Sequence, residues 1–97
     1  MKTLKQIKEI LQNNKEGLEK EYYIEKIGIF GSYAREEQKE CSDVDILVEI
    51  GKPIGFIKFI RLENSISHLL ELKVDLATKN ALKPYMREQI LNEVQYV

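Results

Sequence analysis

Apolar residues along the chain follow first a helical period and then a strand period. Leu4, Ile7, Leu11 and Leu18 recur at helical spacing, with Lys and Glu between them. That stripe predicts a first helix over residues 3–20, with Thr3 as its cap. Asn13, Asn14 and Gly17 weaken the pattern towards its end. Residues 24–30 read as a first strand, stopped by Gly31-Ser32. Residues 32–38 read as a short helix. Val44 to Ile50 is a second strand, apolar on both faces beyond residue 45 and therefore central. Gly51-Lys52-Pro53 ends it. Phe56, Ile57, Phe59, Ile60, Leu62, Ile66, Leu69 and Leu70 give a long helix over 55–71. Residues 73–78 form a third strand. Residues 82–94 form a last helix, with Pro84 in the first turn, where proline is tolerated.

The connections restrict the topology. About a dozen residues join the first strand to the second, which makes them antiparallel neighbours if Gly31 is to lie near Asp43. The long helix between the second and third strands suits a parallel crossover. The expectation is an α/β (α+β) domain over residues 1–97, with a small mixed sheet of three or four strands and helices packed on it. The C-terminal Gln95-Tyr96-Val97 is too short to assign by pattern.

Composition narrows the class. Apolar residues make up 43% of the chain, enough for a core, and mixed-sign charged residues make up 32%, which argues against disorder. The net charge of −1 and pI near 5.9 argue against a broad basic face, though not against a local basic pocket for a triphosphate, so no direct nucleic-acid partner is expected. A single cysteine, Cys41, excludes an internal disulfide and fits a reducing cytoplasm. No apolar stretch is long enough to span a bilayer.

One constellation carries chemistry. Gly31-Ser32 is followed after ten residues by Asp43-Val44-Asp45, and Asp75 lies in the third strand. Side chains two residues apart on a strand point the same way, so Asp43 and Asp45 form a paired-carboxylate site suited to Mg²⁺ that phosphates also hold. The topology brings Asp75 beside them. Two metal ions bridged by such carboxylates can align an attacking oxygen and stabilise a leaving one. Asp75 would complete the second metal site or take the acceptor's proton. The amides after Gly31 and the Ser32 hydroxyl could hold phosphate, and Arg35 could reach a phosphate oxygen. Four fixed residues at fixed spacing arise by chance at roughly 10⁻⁵ per start position.

Gly31-Ser32-Tyr33-Ala34-Arg35, the spacing to Asp43-Val44-Asp45, the later Val74-Asp75-Leu76 and Ala81-Leu82-Lys83-Pro84-Tyr85 resemble the minimal nucleotidyltransferases of the polymerase-β-type superfamily. The resemblance covers nearly the whole chain. It implies a polymerase-β-like fold and a catalytic domain that pairs with a helical HEPN-domain protein in toxin–antitoxin systems. It also implies transfer of AMP from ATP to a tyrosine of the HEPN toxin, which silences its RNase. Asp43, Asp45 and Asp75 would be the catalytic and metal-holding residues, Gly31, Ser32 and Arg35 the nucleotide-holding ones, with Mg²⁺ as two ions. One position departs from the pattern. Glu36 stands where many members carry glycine, followed by Glu37; a carboxylate there would either repel a triphosphate or face solvent.

Plainer readings stand beside these. Neutralisation of the HEPN partner by binding alone is the alternative to catalysis. Arg35 could equally form a surface ion pair with its glutamate neighbours. Lys73 and Lys79 read as solvated strand ends, and His68 as a boundary residue without metal-ligand neighbours. Phe56 and Ile57 widen the apolar arc of the long helix beyond what one sheet face needs, which leaves room for a partner surface. With no second domain to hold an acceptor, that surface would come from a homodimer or a hetero-oligomeric partner.

Overall fold

The computed structural model describes residues 2–97. Helix α1 spans Leu4–Tyr22 and strand β1 Ile24–Phe30. The one-turn helix α2 covers Gly31–Ala34, and strand β2 covers Val44–Ile50. Helix α3 covers Gly55–Leu70 and strand β3 Val74–Thr78. A 3₁₀ turn at Lys79–Ala81 leads to helix α4, Pro84–Glu93, and a two-residue strand β4, Gln95–Tyr96.

The sheet is mixed, in the order β3-β2-β1-β4. β2 runs antiparallel to β1 and parallel to β3, as the connection lengths required. The fourth strand is β4, antiparallel to β1. It is short because only Gly28 and Ile29 find partners in it. Its place depends on a glycine: a Cβ at residue 28 would stand 2.7 Å from Val94 Cγ2 and 3.0 Å from the Gln95 carbonyl oxygen. Such close backbone approach excludes any side chain.

Helices α1 and α3 cover one face of the sheet. Ile7, Leu11 and Leu18 from α1 and Leu62, Ile66 and Leu70 from α3 join Ile27, Ile29, Val44, Ile46 and Val48 in one core. Each such side chain, fully buried, contributes about 1.5–3 kcal/mol. Leu47, on the opposite face of β2, is also fully buried, which is why that strand reads as apolar throughout.

Local devices set the element ends. Thr3 and Gln6 form a reciprocal capping box, at 2.9 and 3.2 Å, at the start of α1. The helix runs through Asn14 and Gly17 to Tyr22, beyond the weak point in the sequence. Burial of Leu18 and Tyr22 outweighs the poor propensity, and Asn14 donates its side-chain amide to the Ile10 carbonyl at 2.8 Å. On the outer edge of the sheet, the Leu76 N–H of β3 donates to Glu63 of α3 at 3.0 Å. That bond blunts an edge open to pairing. Among the described residues no helix is long and apolar enough to cross a membrane.

Candidate active site

β1 delivers the chain to Gly31, which adopts φ +73°. A Cβ at residue 31 would stand 2.9 Å from Asp45 Cγ and nearer still to its Oδ2. Two constraints thus demand glycine here: a left-handed backbone and a carboxylate against the Cα. β2 places Asp45 opposite Phe30 on one side and opposite Asp75 on the other. Register partners share a face of the sheet, so Asp45 and Asp75 stand side by side. Asp43 lies just before the first residue of β2.

A cleft of about 500 Å³ opens over this face. Gly31, Arg35, Asp45 and Asp75 line one wall, and Met86, Ile90 and Glu93 of α4 line the other. A second hollow of about 620 Å³ lies towards the far ends of β2 and β3, with Phe56 and Phe59 in its wall. It is larger, but Lys52 is the only charged residue in its lining, whereas the first cleft gathers Arg35, Asp45, Asp75, Lys83 and Glu93. Ala77 and Ala81 line both.

Electrostatics single out Asp45. Its carboxyl is pushed up to about 6 from an ordinary 3.8, first by burial and then by the charges of Asp75 and Asp43. Arg35 opposes the shift and Glu93 adds to it. The charge of the cross-strand Asp75 thus raises Asp45 more than that of its sequence neighbour Asp43. A divalent cation would relieve this repulsion. Among the described residues no three His, Cys, Asp or Glu side chains close into a metal cage. That arrangement still suits Mg²⁺, which takes one or two carboxylates and completes its shell with water and substrate phosphates. Asp45 and Asp75, with Asp43 beside them, are the residues that could hold it.

The helix after Gly31 is shorter than its sequence suggests. It makes one turn, because Glu36 at φ +57° ends it. The Glu37 N–H donates to the Ser32 carbonyl at 2.8 Å and the Glu36 N–H to the Tyr33 carbonyl at 3.2 Å. These two bonds form a Schellman motif with glutamate in the position that glycine favours. The glycine that the resemblance leads one to expect here would thus have a backbone reason. Glu36 is exposed and does not line the cleft. One turn is too short to give α2 a substantial dipole, and neither Ser32 nor Asp43 lines the cleft.

Arg35 is engaged by carboxylates. Its Nη1 donates to both oxygens of Glu93, at 3.2 and 3.1 Å, and its Nε donates to Glu37 at 3.2 Å. Hydrogen bonds to Glu93 and then Glu37 hold its guanidinium above the ordinary arginine range. Glu93 also accepts the Gly31 N–H at 2.6 Å. Sequence reasoning missed Glu93 altogether, since a glutamate on a mixed helix face gives no signal. Lys79 pairs with Glu49 at 3.8 Å, as a solvated strand end would. His68 is exposed, and it and Lys73 lie outside the cleft.

Known proteins share this architecture. The nucleotidyltransferase domain family model matches residues 4–97. The protein adenylyltransferase MntA of Thermococcus cleftensis is 45% identical over 97 residues, covering all of this chain and 98% of that one. A solved structure provisionally described as a minimal nucleotidyltransferase superposes with a TM-score of 0.74 at 30% identity, covering 97% of this chain and 95% of the other. The MNT antitoxin in a complex with the tri-AMPylated HEPN toxin of Shewanella oneidensis shares the fold, with a TM-score of 0.66 at 20% identity over 92% of this chain and 70% of that one. Matched along almost its whole length, the chain belongs to the nucleotidyltransferase domain family, the enzyme class to which its carboxylates and Gly-Ser turn point.

Proposed function

We propose that this chain is a Mg²⁺-dependent protein adenylyltransferase that moves AMP from ATP to a tyrosine hydroxyl of a HEPN-domain partner, as an antitoxin. The observation that carries the reading is the register pair Asp45 and Asp75, with Gly31 packed against Asp45. It puts two carboxylates beside a turn that offers amides and the Ser32 hydroxyl. The relationship to an adenylyltransferase MntA, and the fold shared with an MNT antitoxin bound to an AMPylated HEPN toxin, support the donor and the partner class.

In the reaction the tyrosine oxygen attacks the α-phosphorus of ATP. An O–P bond to the acceptor forms, the bond to the bridging oxygen of the β-phosphate breaks, and pyrophosphate leaves. Asp45 lies half-buried against Gly31 and faces the nucleotide. Asp75 is exposed on β3 and faces the acceptor, where it can take the hydroxyl proton. Asp43 adds negative charge on the same side. Bound Mg²⁺ would neutralise developing charge on the phosphates. Ser32 and its neighbouring amides orient the polyphosphate, and Met86 and Ile90 supply an apolar wall that limits water.

Intact-mass spectrometry of the HEPN partner after incubation with this chain, ATP and Mg²⁺ tests the proposal. The partner gains one or more AMP units, and the Asp43→Asn/Asp45→Asn variant leaves it unmodified. A partner that stays unmodified yet is neutralised in a stable complex would overturn catalysis in favour of binding alone.

A further inference from the structure

We infer that Glu93 is a positioning residue that straps the Ser32 turn in place, and that Arg35 belongs to this strap instead of contacting phosphate. The inference rests on the nucleotide reading above and concerns how the phosphate-binding turn is held.

The turn needs external support. A single helical turn fixes several dihedral angles for very few hydrogen bonds, so it does not persist alone. Phe30, at the N-cap of α2, offers no side-chain cap. Glu93 fills that role from a distant part of the chain. One of its oxygens accepts the Gly31 N–H at 2.6 Å, and both accept from Arg35 Nη1. Gly31 opens the turn and Arg35 follows its last residue. One carboxylate thus grips both ends of the segment that carries Ser32.

The anchor is itself fixed. Glu93 is the last residue of α4. The next residue, Val94, packs onto Gly28 of β1, and the Val97 N–H donates to the Ile27 carbonyl at 2.9 Å. The Glu93 side chain is only 16% exposed. The C-terminal segment therefore does more than extend the sheet: it carries the acceptor that aligns the Gly-Ser turn.

Charge supports the same assignment for Arg35. Its guanidinium already pairs with two carboxylates, Glu37 and Glu93, so the three groups together carry a negative charge. A cation spent in this way has little attraction left for a polyphosphate. Conversely, an unengaged Glu93 would repel one. The strap ties up both charges.

The test compares the unaltered chain with Glu93→Gln, Arg35→Gln and the double variant. Calorimetry measures affinity for AMP-PNP with Mg²⁺, hydrogen exchange follows the amides of residues 31–34, and a melting curve monitors the fold. Each single variant should weaken affinity about tenfold, the scale of one charge-assisted hydrogen bond. The double variant should be no worse than the weaker single, because both remove one strap. The turn amides should exchange faster in all three. Arg35 is the more exposed partner, so Arg35→Gln tests the idea even if Glu93→Gln melts. Additive losses would overturn it, since Arg35 would then touch phosphate independently. So would tighter binding in Glu93→Gln, which would make Glu93 a competitor of phosphate, and so would unchanged affinity. An unaltered chain that binds no nucleotide would overturn the nucleotide reading itself, and this inference with it.

Discussion

The carboxylate of Asp45 occupies the space in which a side chain at Gly31 would begin. Gly31→Ala therefore forces Asp45 aside and adds strain at φ +73°. The expected loss is about 2–4 kcal/mol of stability together with adenylyl transfer. Urea denaturation and intact-mass assays measure the two. Asp45→Ala added to Gly31→Ala should recover part of the stability, because the clash goes while the backbone strain stays. It should recover none of the activity.

Asp45 makes stability depend on pH in an unusual direction. Its folded value, about 6, lies above the ordinary 3.8, so the folded state holds this proton more tightly than the unfolded state. The contribution is fully present below about pH 4 and is lost as pH rises through 6. Asp45→Asn mimics the protonated form. It should leave stability nearly unchanged at pH 4 and raise it by about 1–2 kcal/mol at pH 7, after allowing for solvent screening at a half-buried site. Denaturation of both proteins across this range, in the absence of divalent cations, checks the sign. Greater gain at pH 4 than at pH 7 would refute it.

The same substitution should remove activity. Asp45→Asn and Asp75→Asn, each made alone, should slow transfer by about 10²–10³-fold, the cost of removing a group that acts on charge in the transition state. Asp43→Asn should act in the same direction. Single-turnover rates at saturating ATP and Mg²⁺ measure it. A rate unchanged by Asp75→Asn would remove that residue from the reaction.

Glu36 holds a left-handed backbone at φ +57° with an exposed side chain. Glu36→Gly should therefore stabilise the protein by about 1 kcal/mol and leave nucleotide affinity unchanged. Chemical denaturation and calorimetry separate the two readouts. A marked gain in affinity would mean that the Glu36 carboxylate repels the nucleotide after all.

Gly28 lies beneath Val94 and Tyr96. Gly28→Ala should push β4 off the sheet, at a cost of about 1–3 kcal/mol. Because Glu93 precedes Val94, amide exchange at residues 31–34 should rise as well. Exchange mapped along the chain tests whether the two regions respond together.

The sequence by itself determined the first three strands, the central place of β2 and the convergence of Gly31, Asp45 and Asp75 on one cleft. These depend on local signals: alternation on a strand, helical spacing, a glycine stop, and connections too short for more than one topology. Only the tertiary structure decided that Asp75 stands in register with Asp45, because that pairing is set between strands thirty residues apart. It also decided where α1 ends, since burial of Leu18 and Tyr22 outweighs local propensity. The roles of Glu93 and of Gln95-Tyr96 were illegible for the same reason. The bond from Gly31 to Glu93 joins residues 62 positions apart, and such a contact leaves no periodicity in either segment. Pattern reports which face a residue presents, whereas long-range packing selects what that face meets.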